Sequence, residues 1–361
     1  MKNLTLISNL LQAFEPSGAE PPDIIELHHG NYATRFSIAN VIYSTFSYQK
    51  LTNTFPGIPL RIARLQHRLG VEVTLGRVAV PENFTIFDVI GPVTDARQRS
   101  QLFLGIDAFG PAYLSLNQRG HTFISGATGS GKTSFANHLL TQLALHDENS
   151  IIHIIDPKGS NYRHFDYSNG FGFRARNENE WTTLLKLIAF EVKLRAHLFE
   201  QCFKTPPTSL ESYNRINLET GLKLPQLPRI ILFIDELGVL LNSGSHSGGG
   251  GLDPLSYLLK LGREFGIEVI LANQDPGYHS ILRQIRNFIT FFGGTYRDDT
   301  ASFSPFFTSR QGISVSAKPG RMILDGEDRS VRSIQAPIIT PSECTAYLKY
   351  YGEDRKAKHP N

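Results

Sequence analysis

The sequence predicts an α/β fold with a mainly parallel sheet, preceded by a small α+β domain. Two observations predict it. After about residue 118, short apolar runs alternate with helical patterns, as in buried parallel strands joined by crossover helices. Before that point, short apolar pieces are separated by proline and glycine without regular alternation. We therefore predict a small domain over residues 1–117, an α/β domain over 118–345 and a polar tail over 346–361.

The first domain carries weaker signals than the second. Its N-terminal residues 1–11 are mildly apolar and lack a cleavage site, which favours a short helix over a signal peptide. A second helix is predicted at 59–69, followed by short strands at 71–75 and 84–89.

The α/β domain contains five apolar runs that predict buried parallel strands. They lie at 121–125, 151–155, 229–234, 267–272 and 288–292.

The elements between and after these strands are also predicted. The longest helix is expected at 180–200, with Leu184, Leu187, Ile188, Leu194 and Leu198 on it. A further helix is expected to be capped by Asp253, to have Pro254 in its first turn and to exit through Gly266. Residues 322–324 predict a late edge strand, and 243–251 a flexible glycine-serine loop.

One eight-residue stretch, 126–133, satisfies the pattern G-x-x-x-x-G-K-[ST] of the phosphate-binding P-loop. A strand is predicted before it and a helix after it, which is the order that such a loop requires. Glycines allow backbone N–H groups to turn toward a triphosphate, and the helix N-terminus directs partial positive charge at it. We expect contacts to the nucleotide from Gly126, Ala127, Thr128, Gly129, Ser130, Gly131, Lys132, Thr133 and Ser134.

Acidic and amide side chains follow two of the other predicted strands. Asp235 and Glu236 end the strand at 229–234, and Gln274 follows the strand at 267–272. Beside a P-loop, Asp235 would join Thr133 in holding Mg²⁺, and Glu236 would polarise the attacking water. Gln274 would sense the γ-phosphate, although an ordinary loop amide is the alternative.

Together these motifs resemble the FtsK/SpoIIIE family of DNA-pumping ATPases, within the wider HerA/FtsK group. The likeness covers about 300 of the 361 residues and runs in order along the chain. Beyond the P-loop it includes 155–159, 233–237, 262–267, 271–276, 320–324 and 336–340, and upstream 61–65, 71–73 and 104–107. Family members usually carry arginine where this chain has Asp275, and neither a membrane anchor nor a C-terminal winged-helix module is evident.

The resemblance implies a RecA-like P-loop NTPase core that binds ATP and Mg²⁺ and works as a hexameric ring around double-stranded DNA. An arginine from the neighbouring subunit would complete each site. Arg263 is the first candidate and Arg195 the second, although a charge at a helix end or on a solvated face is the alternative for each. Channel-facing DNA contacts would come from backbone amides of the loop at 243–251, which has no Lys or Arg, or from Lys260, Arg283 and Arg286. A simple solvent-exposed loop is the favoured alternative for 243–251.

The function expected from this resemblance is ATP-driven translocation of double-stranded DNA, in conjugative transfer or genome packaging. A secretion ATPase that moves proteins is the alternative, and a slowly hydrolysing scaffold a third interpretation, which the Asp235–Glu236 pair disfavours. A formal net charge of +3 neither requires nor excludes nucleic acid.

The remaining composition agrees with a cytoplasmic protein recruited by a partner. The chain has no run of 18 apolar residues, and its two cysteines, Cys202 and Cys344, are expected to be buried thiols. Its twelve histidines show no metal-ligand spacing.

Overall fold

The computed structural model describes most of the chain after residue 100 and shorter pieces before it. The described residues are 10–11, 14–16, 23–29, 33–42, 49–51, 53, 55, 58, 60–64, 70–76, 84–85, 101–116, 120–147, 149–203, 205–243, 252–274, 289–295, 318–325 and 331–358. The chain divides into two compact units, one of residues 1–81 with 106–112 and one of 82–105 with 113–361.

The first unit is built on a four-stranded antiparallel sheet in the order β2-β3-β6-β5, and β1 pairs with β4 beside it. Its strands are β1 (Glu15–Pro16), β2 (Asp23–His29), β3 (Ala33–Ala39), β4 (Val41–Ile42), β5 (Leu60–Arg64) and β6 (Gly70–Gly76). Buried Phe36, Ile38, Val71 and Val73 form the centre of its core.

The helix predicted at 59–69 is wrong, because residues 60–64 form β5, which pairs antiparallel with β6. Leu60 and Ile62 lie two residues apart and pack against the core, as the period of two in a strand requires. The strand predicted at 71–75 is confirmed as β6. Of the strand predicted at 84–89 only two residues are described, and Thr85 there forms an isolated bridge with Ile338.

A ten-stranded sheet has the order β11-β10-β12-β13-β9-β14-β15-β16-β7-β8. Its strands are β7 (Gln101–Asp107), β8 (Gly110–Ser115), β9 (His121–Ser125), β10 (Ser150–Ile155), β11 (Phe171–Ala175), β12 (Arg229–Ile234), β13 (Ile267–Asn273), β14 (Ile289–Thr295), β15 (Arg321–Asp325) and β16 (Val331–Gln335). The strands from β11 to β14 in that order pair in parallel, so the mainly parallel α/β fold is confirmed. All five predicted strands are present, and β11 is an addition that the sequence did not predict.

The helices are α1 (Lys132–His146), α2 (Glu178–Cys202), α3 (Leu210–Thr220), α4 (Leu237–Ser243), α5 (Leu252–Leu261) and α6 (Pro341–Lys358). The start of α2 is set by Asn177, whose side chain accepts a hydrogen bond from Glu180 N at 3.1 Å. A capping box of Ser209 and Ser212 begins α3, and Gly221 in the left-handed conformation ends it. The hydrophobic core of the second unit joins α2, α4 and α5 to the parallel strands.

The long helix predicted at 180–200 is confirmed as α2. Of the residues named on it, Leu184 and Ile188 are buried, whereas Leu187 and Leu194 are exposed. The predicted cap of α5 is wrong. Helix α5 begins at Leu252, so Asp253 lies inside it rather than at its cap.

At the other end of the chain, β15 is not an edge strand, since β14 and β16 pair with it on its two sides. The predicted polar tail is largely the helix α6, which packs against α1. Within α6, Cys344 is fully buried, and burial raises the pKa of its thiol to about 11. Cys202, expected to be buried as well, is half-buried.

Three further predictions cannot be compared with these elements. Apart from Ser243, the loop at 243–251 lies outside the described residues, as do Arg283 and Arg286. No helix in the described part of the chain is both long and apolar enough to cross a membrane.

Candidate nucleotide site

The strand order brings the predicted site residues to one edge of the sheet. Strand β13 lies between β9 and β12, and all three run in the same direction. Their carboxyl ends therefore meet, which is where open parallel sheets bind ligands. The P-loop follows β9, Gln274 follows β13, and the acidic pair follows β12.

The P-loop has the backbone that its glycines were expected to allow. Gly129 and Gly131 adopt φ values of +79° and +98°, which disfavour a side chain. The Ser130 hydroxyl donates to the Ala127 carbonyl at 2.6 Å and closes the loop. Gly131 is the N-cap of helix α1, which begins at Lys132, so the unpaired N–H groups of its first turn lie next to the loop.

Lys132 and Asp235 form an ion pair beneath the loop. The Nζ atom of Lys132 lies 3.1 Å from Oδ1 of Asp235, and only 7% and 1% of the two side chains are exposed. The other carboxylate oxygen, Oδ2, accepts a hydrogen bond from Asn161 at 3.0 Å. Both oxygens of Asp235 are therefore held by side-chain donors.

Glu236 occupies a strained position at the end of β12. Its φ is +69°, an unusual value for a residue other than glycine, and such strain tends to occur at functional sites. Oε1 accepts a hydrogen bond from the backbone N–H of Gln274 at 3.2 Å. Oε2 is buried and has no hydrogen-bond partner among the described residues, which leaves one oxygen available to a ligand or water.

Gln274 joins the P-loop to the acidic strand. Its Oε1 accepts a hydrogen bond from the Thr128 hydroxyl at 3.2 Å, and its N–H is the donor to Glu236. The preceding residue, Asn273, accepts a hydrogen bond from Gly126 N at 3.2 Å through its carbonyl oxygen. The structure thus brings Gln274, Lys132, Asp235 and Glu236 together around the P-loop.

The oxygen-rich set near the loop fits a hard divalent cation. Thr133, the second residue of α1, offers a hydroxyl and Asp235 a carboxylate, which are the donors that Mg²⁺ prefers. A Cβ added at Gly129 would meet no atom within 4 Å, so there is open space on that side of the loop. The Ser134 side chain is committed elsewhere, since its hydroxyl accepts a hydrogen bond from Ile339 N at 3.0 Å.

The two candidate finger arginines differ in accessibility. Arg263 is exposed in the turn before β13, at the opposite end of that strand from Gln274, so it lies away from the P-loop of its own chain. Arg195 is 1% exposed and donates to the Phe265 carbonyl at 2.8 Å and to Glu191 at 2.8 Å. A guanidinium buried in this way cannot reach a neighbouring subunit, so the second candidate is wrong.

Sequence reasoning missed two residues of the site, Asn161 and Tyr162. Both lie in the turn after β10, whose motif 155–159 was noted only as part of the resemblance. Because β10 pairs in parallel with β12, polar residues just after β10 lie beside those after β12. The sequence pattern alone does not encode that pairing, so it gave no signal for these two residues.

The fold and the site define a P-loop protein of the RecA-like α/β class. Residues 111–170 match the model of the type IV secretion-system coupling protein DNA-binding domain, a match that covers part of the chain. The chain is similar in sequence to the DNA translocases FtsK and SpoIIIE over most of its length, so the resemblance seen in its motifs is confirmed.

Two curated relatives illustrate this relationship. The DNA translocase FtsK of Staphylococcus epidermidis is 24% identical over 306 residues, covering 81% of this chain and 36% of that protein. The DNA translocase SpoIIIE of Bacillus subtilis is 26% identical over 286 residues, covering 73% of this chain and 35% of that protein. The chain therefore spans about a third of the length of these relatives.

Two solved structures share the fold. The monomer of the pCW3 conjugation coupling protein TcpA has a TM-score of 0.62 and 18% identity, over 95% of this chain and 98% of that one. The cytoplasmic domain of the type VII secretion ATPase EccC of Thermomonospora curvata has a TM-score of 0.60 and 20% identity, over 74% of this chain and 34% of that one.

Proposed function

We propose that this protein is an ATP-hydrolysing motor that translocates double-stranded DNA through a ring of identical subunits. The observation that carries the proposal is the meeting of Lys132, Asp235, Glu236 and Gln274 around one P-loop. The relatives named DNA translocases support DNA as the transported polymer. Conjugative transfer is the favoured setting, given the fold shared with a conjugation coupling protein.

Each residue has a separate part in the proposed chemistry. Lys132 would leave its ion pair to contact the β- and γ-phosphates of ATP. Thr133 and Asp235 would hold Mg²⁺, which would supply charge neutralisation at those phosphates. Glu236 polarises the attacking water through Oε2, the oxygen without a partner. Gln274 would sense the γ-phosphate and couple Thr128 to Glu236, since it is hydrogen-bonded to both.

The proposed ring supplies what a single chain lacks. Arg263 is exposed and lies at the far end of β13 from its own P-loop, so its guanidinium would act on the nucleotide of the neighbouring subunit. If Arg263→Ala retains hydrolysis in the assembled ring, this assignment is wrong. The oligomer and its recruiting partner are part of the same proposal.

A secretion ATPase that moves proteins is the second candidate function, because the type VII secretion ATPase EccC shares the fold. The same P-loop chemistry would serve it. The two functions differ in the polymer that stimulates hydrolysis, so that polymer is the quantity to test.

The test measures ATP hydrolysis with and without long duplex DNA, at a stated salt concentration because phosphate contacts are salt-dependent. We expect several-fold stimulation by the duplex. Glu236→Gln should reduce hydrolysis at least about a hundredfold and retain nucleotide binding, as loss of a general base does. The matched control is Glu219→Gln, which makes the same change at an exposed position on α3.

The outcomes separate the candidates. Hydrolysis that no duplex stimulates would overturn the DNA motor and favour the secretion ATPase. Lys132→Ala should lose ATP binding, and binding that survives this change would contradict the nucleotide site itself.

A further inference from the structure

The turn after β10, residues 156–162, is fixed by a buried ion pair. Asp156 is fully buried, and its Oδ1 accepts a hydrogen bond from Gly159 N at 3.1 Å. Its Oδ2 lies 3.2 Å from the guanidinium of Arg174, which also donates to the Gly159 carbonyl at 3.0 Å. Arg174 binds Asp166 as well and holds the pKa of that carboxyl below its usual range. Charge-assisted hydrogen bonds of this kind hold the turn in one position.

The fixed turn presents two side chains to Asp235. Asn161 donates to Oδ2 of Asp235 at 3.0 Å. Tyr162 is fully buried, and its ring contacts Phe233 of β12 edge-on, with centroids 4.9 Å apart. This packing places the Tyr162 hydroxyl beside the Asp235 carboxylate and the Thr133 hydroxyl.

Among the residues that the structure describes, none forms a hydrogen bond with the Tyr162 hydroxyl. A tyrosine hydroxyl is protonated near neutral pH, so it can donate a hydrogen bond to an oxygen atom that comes within reach. A buried hydroxyl without a partner is unfavourable, so an oxygen atom that arrives with a ligand would be stabilised by its hydrogen bond.

We propose that Asn161 and Tyr162 form an outer layer of the magnesium–nucleotide site. Asn161 fixes the plane of the Asp235 carboxylate. When Mg²⁺ and nucleotide are bound, the Tyr162 hydroxyl donates a hydrogen bond to an oxygen atom of the metal site. Both are positioning residues rather than catalytic ones. This inference rests on the proposed function and names the residues that tune its metal site.

Asn161 becomes more important once nucleotide is bound. In this structure Lys132 and Asn161 hold one oxygen of Asp235 each. In the proposed function Lys132 moves to the phosphates, which leaves Asn161 to orient the carboxylate. Loss of such outer partners typically lowers metal affinity 10- to 100-fold.

The experiment compares ATPγS affinity in excess Mg²⁺ with ATPγS affinity in EDTA, by calorimetry on the full chain. The ratio of the two affinities measures the contribution of the metal without any turnover. Tyr162→Phe keeps the ring against Phe233 and removes the hydroxyl, so the ratio should fall about tenfold while the EDTA affinity stays unchanged. Asn161→Ala should lower the ratio by a similar factor.

Two controls separate this role from a structural one. Tyr213→Phe removes the hydroxyl of another fully buried tyrosine, which donates to the Pro225 carbonyl at 3.2 Å, and should leave the ratio unchanged. Nucleotide-free Tyr162→Phe should melt at or above the wild-type temperature, because it removes an unpaired hydroxyl.

The results distinguish this inference from the proposed function. Wild-type ratios in both Tyr162→Phe and Asn161→Ala, with Lys132→Ala still unable to bind, would overturn the outer layer alone. Failure of the wild-type chain to bind ATPγS would overturn the nucleotide site and, with it, this inference.

Discussion

The buried pair of Lys132 and Asp235 makes a prediction about the stability of the nucleotide-free protein. At 3.1 Å, two unit charges attract by about 5 kcal/mol when the effective dielectric constant is about 20. Removing one partner leaves the other charge buried, which typically costs 3–5 kcal/mol, whereas removing both leaves none. We therefore expect Lys132→Met and Asp235→Asn each to lower the free energy of unfolding by about 3 kcal/mol, and the double variant to lower it by less than either single one.

Urea unfolding of the nucleotide- and magnesium-free protein measures this coupling. Trp181 is the single tryptophan of the chain and lies buried in α2, so its fluorescence reports unfolding of the unit that holds the site. The control cycle uses Arg176 and Glu180, an exposed pair whose coupling should stay below about 1 kcal/mol. A coupling energy for Lys132 and Asp235 that is no larger than in the control would refute the reasoning.

Three further predictions concern strain, close packing and acid. Glu236→Gly should raise the free energy of unfolding by about 1 kcal/mol, because glycine adopts a φ of +69° without strain. The same change should abolish hydrolysis, because it removes the carboxylate. A variant that is less stable in urea unfolding would contradict the first expectation. Gly131→Ala should destabilise the protein by more than about 1 kcal/mol, since φ is +98° and the added Cβ would lie 2.8 Å from Gly320 N. The control Gly221→Ala should cost less in the same assay, because its Cβ would have no described atom within 4 Å. Burial lowers the pKa of His138 to about 4, below its unfolded value of 6.5. The buried neutral ring therefore contributes its full stability above pH 6.5, and about 3 kcal/mol of the free energy of unfolding is lost as the pH falls toward 4. His138→Gln should reduce this loss. Urea unfolding at pH 7 and at pH 4.5 measures it, and an equal drop in the free energy of unfolding for variant and wild type would count against the prediction.

The sequence predicted the parallel half of the fold and the convergence of the site well. Strands buried on both faces are continuous apolar runs, as β12 and β13 are, and such runs are hard to confuse with loops. The P-loop pattern fixes a strand before it and a helix after it, so β9 and α1 followed directly.

Other elements could not be predicted because their state depends on neighbours distant in sequence. Residues 60–64 fit a strand or a short helix, and it is pairing with β6 that decides for β5. Strand β15 is interior only because β16, which was not predicted, covers its outer side. The roles of Asn161 and Tyr162 depend on β10 lying beside β12, a pairing that no local pattern encodes.

The strand β13 connects two places that the proposed function uses. All seven of its residues are buried, and it pairs with β12 on one side and β9 on the other, so β13 is a rigid element of the sheet. One end leads to Gln274, which touches both the P-loop and Glu236; the other follows the turn that carries Arg263, about 20 Å away at 3.3 Å per residue. In the proposed ring, β13 would therefore link the nucleotide site of one subunit to the surface that faces the next.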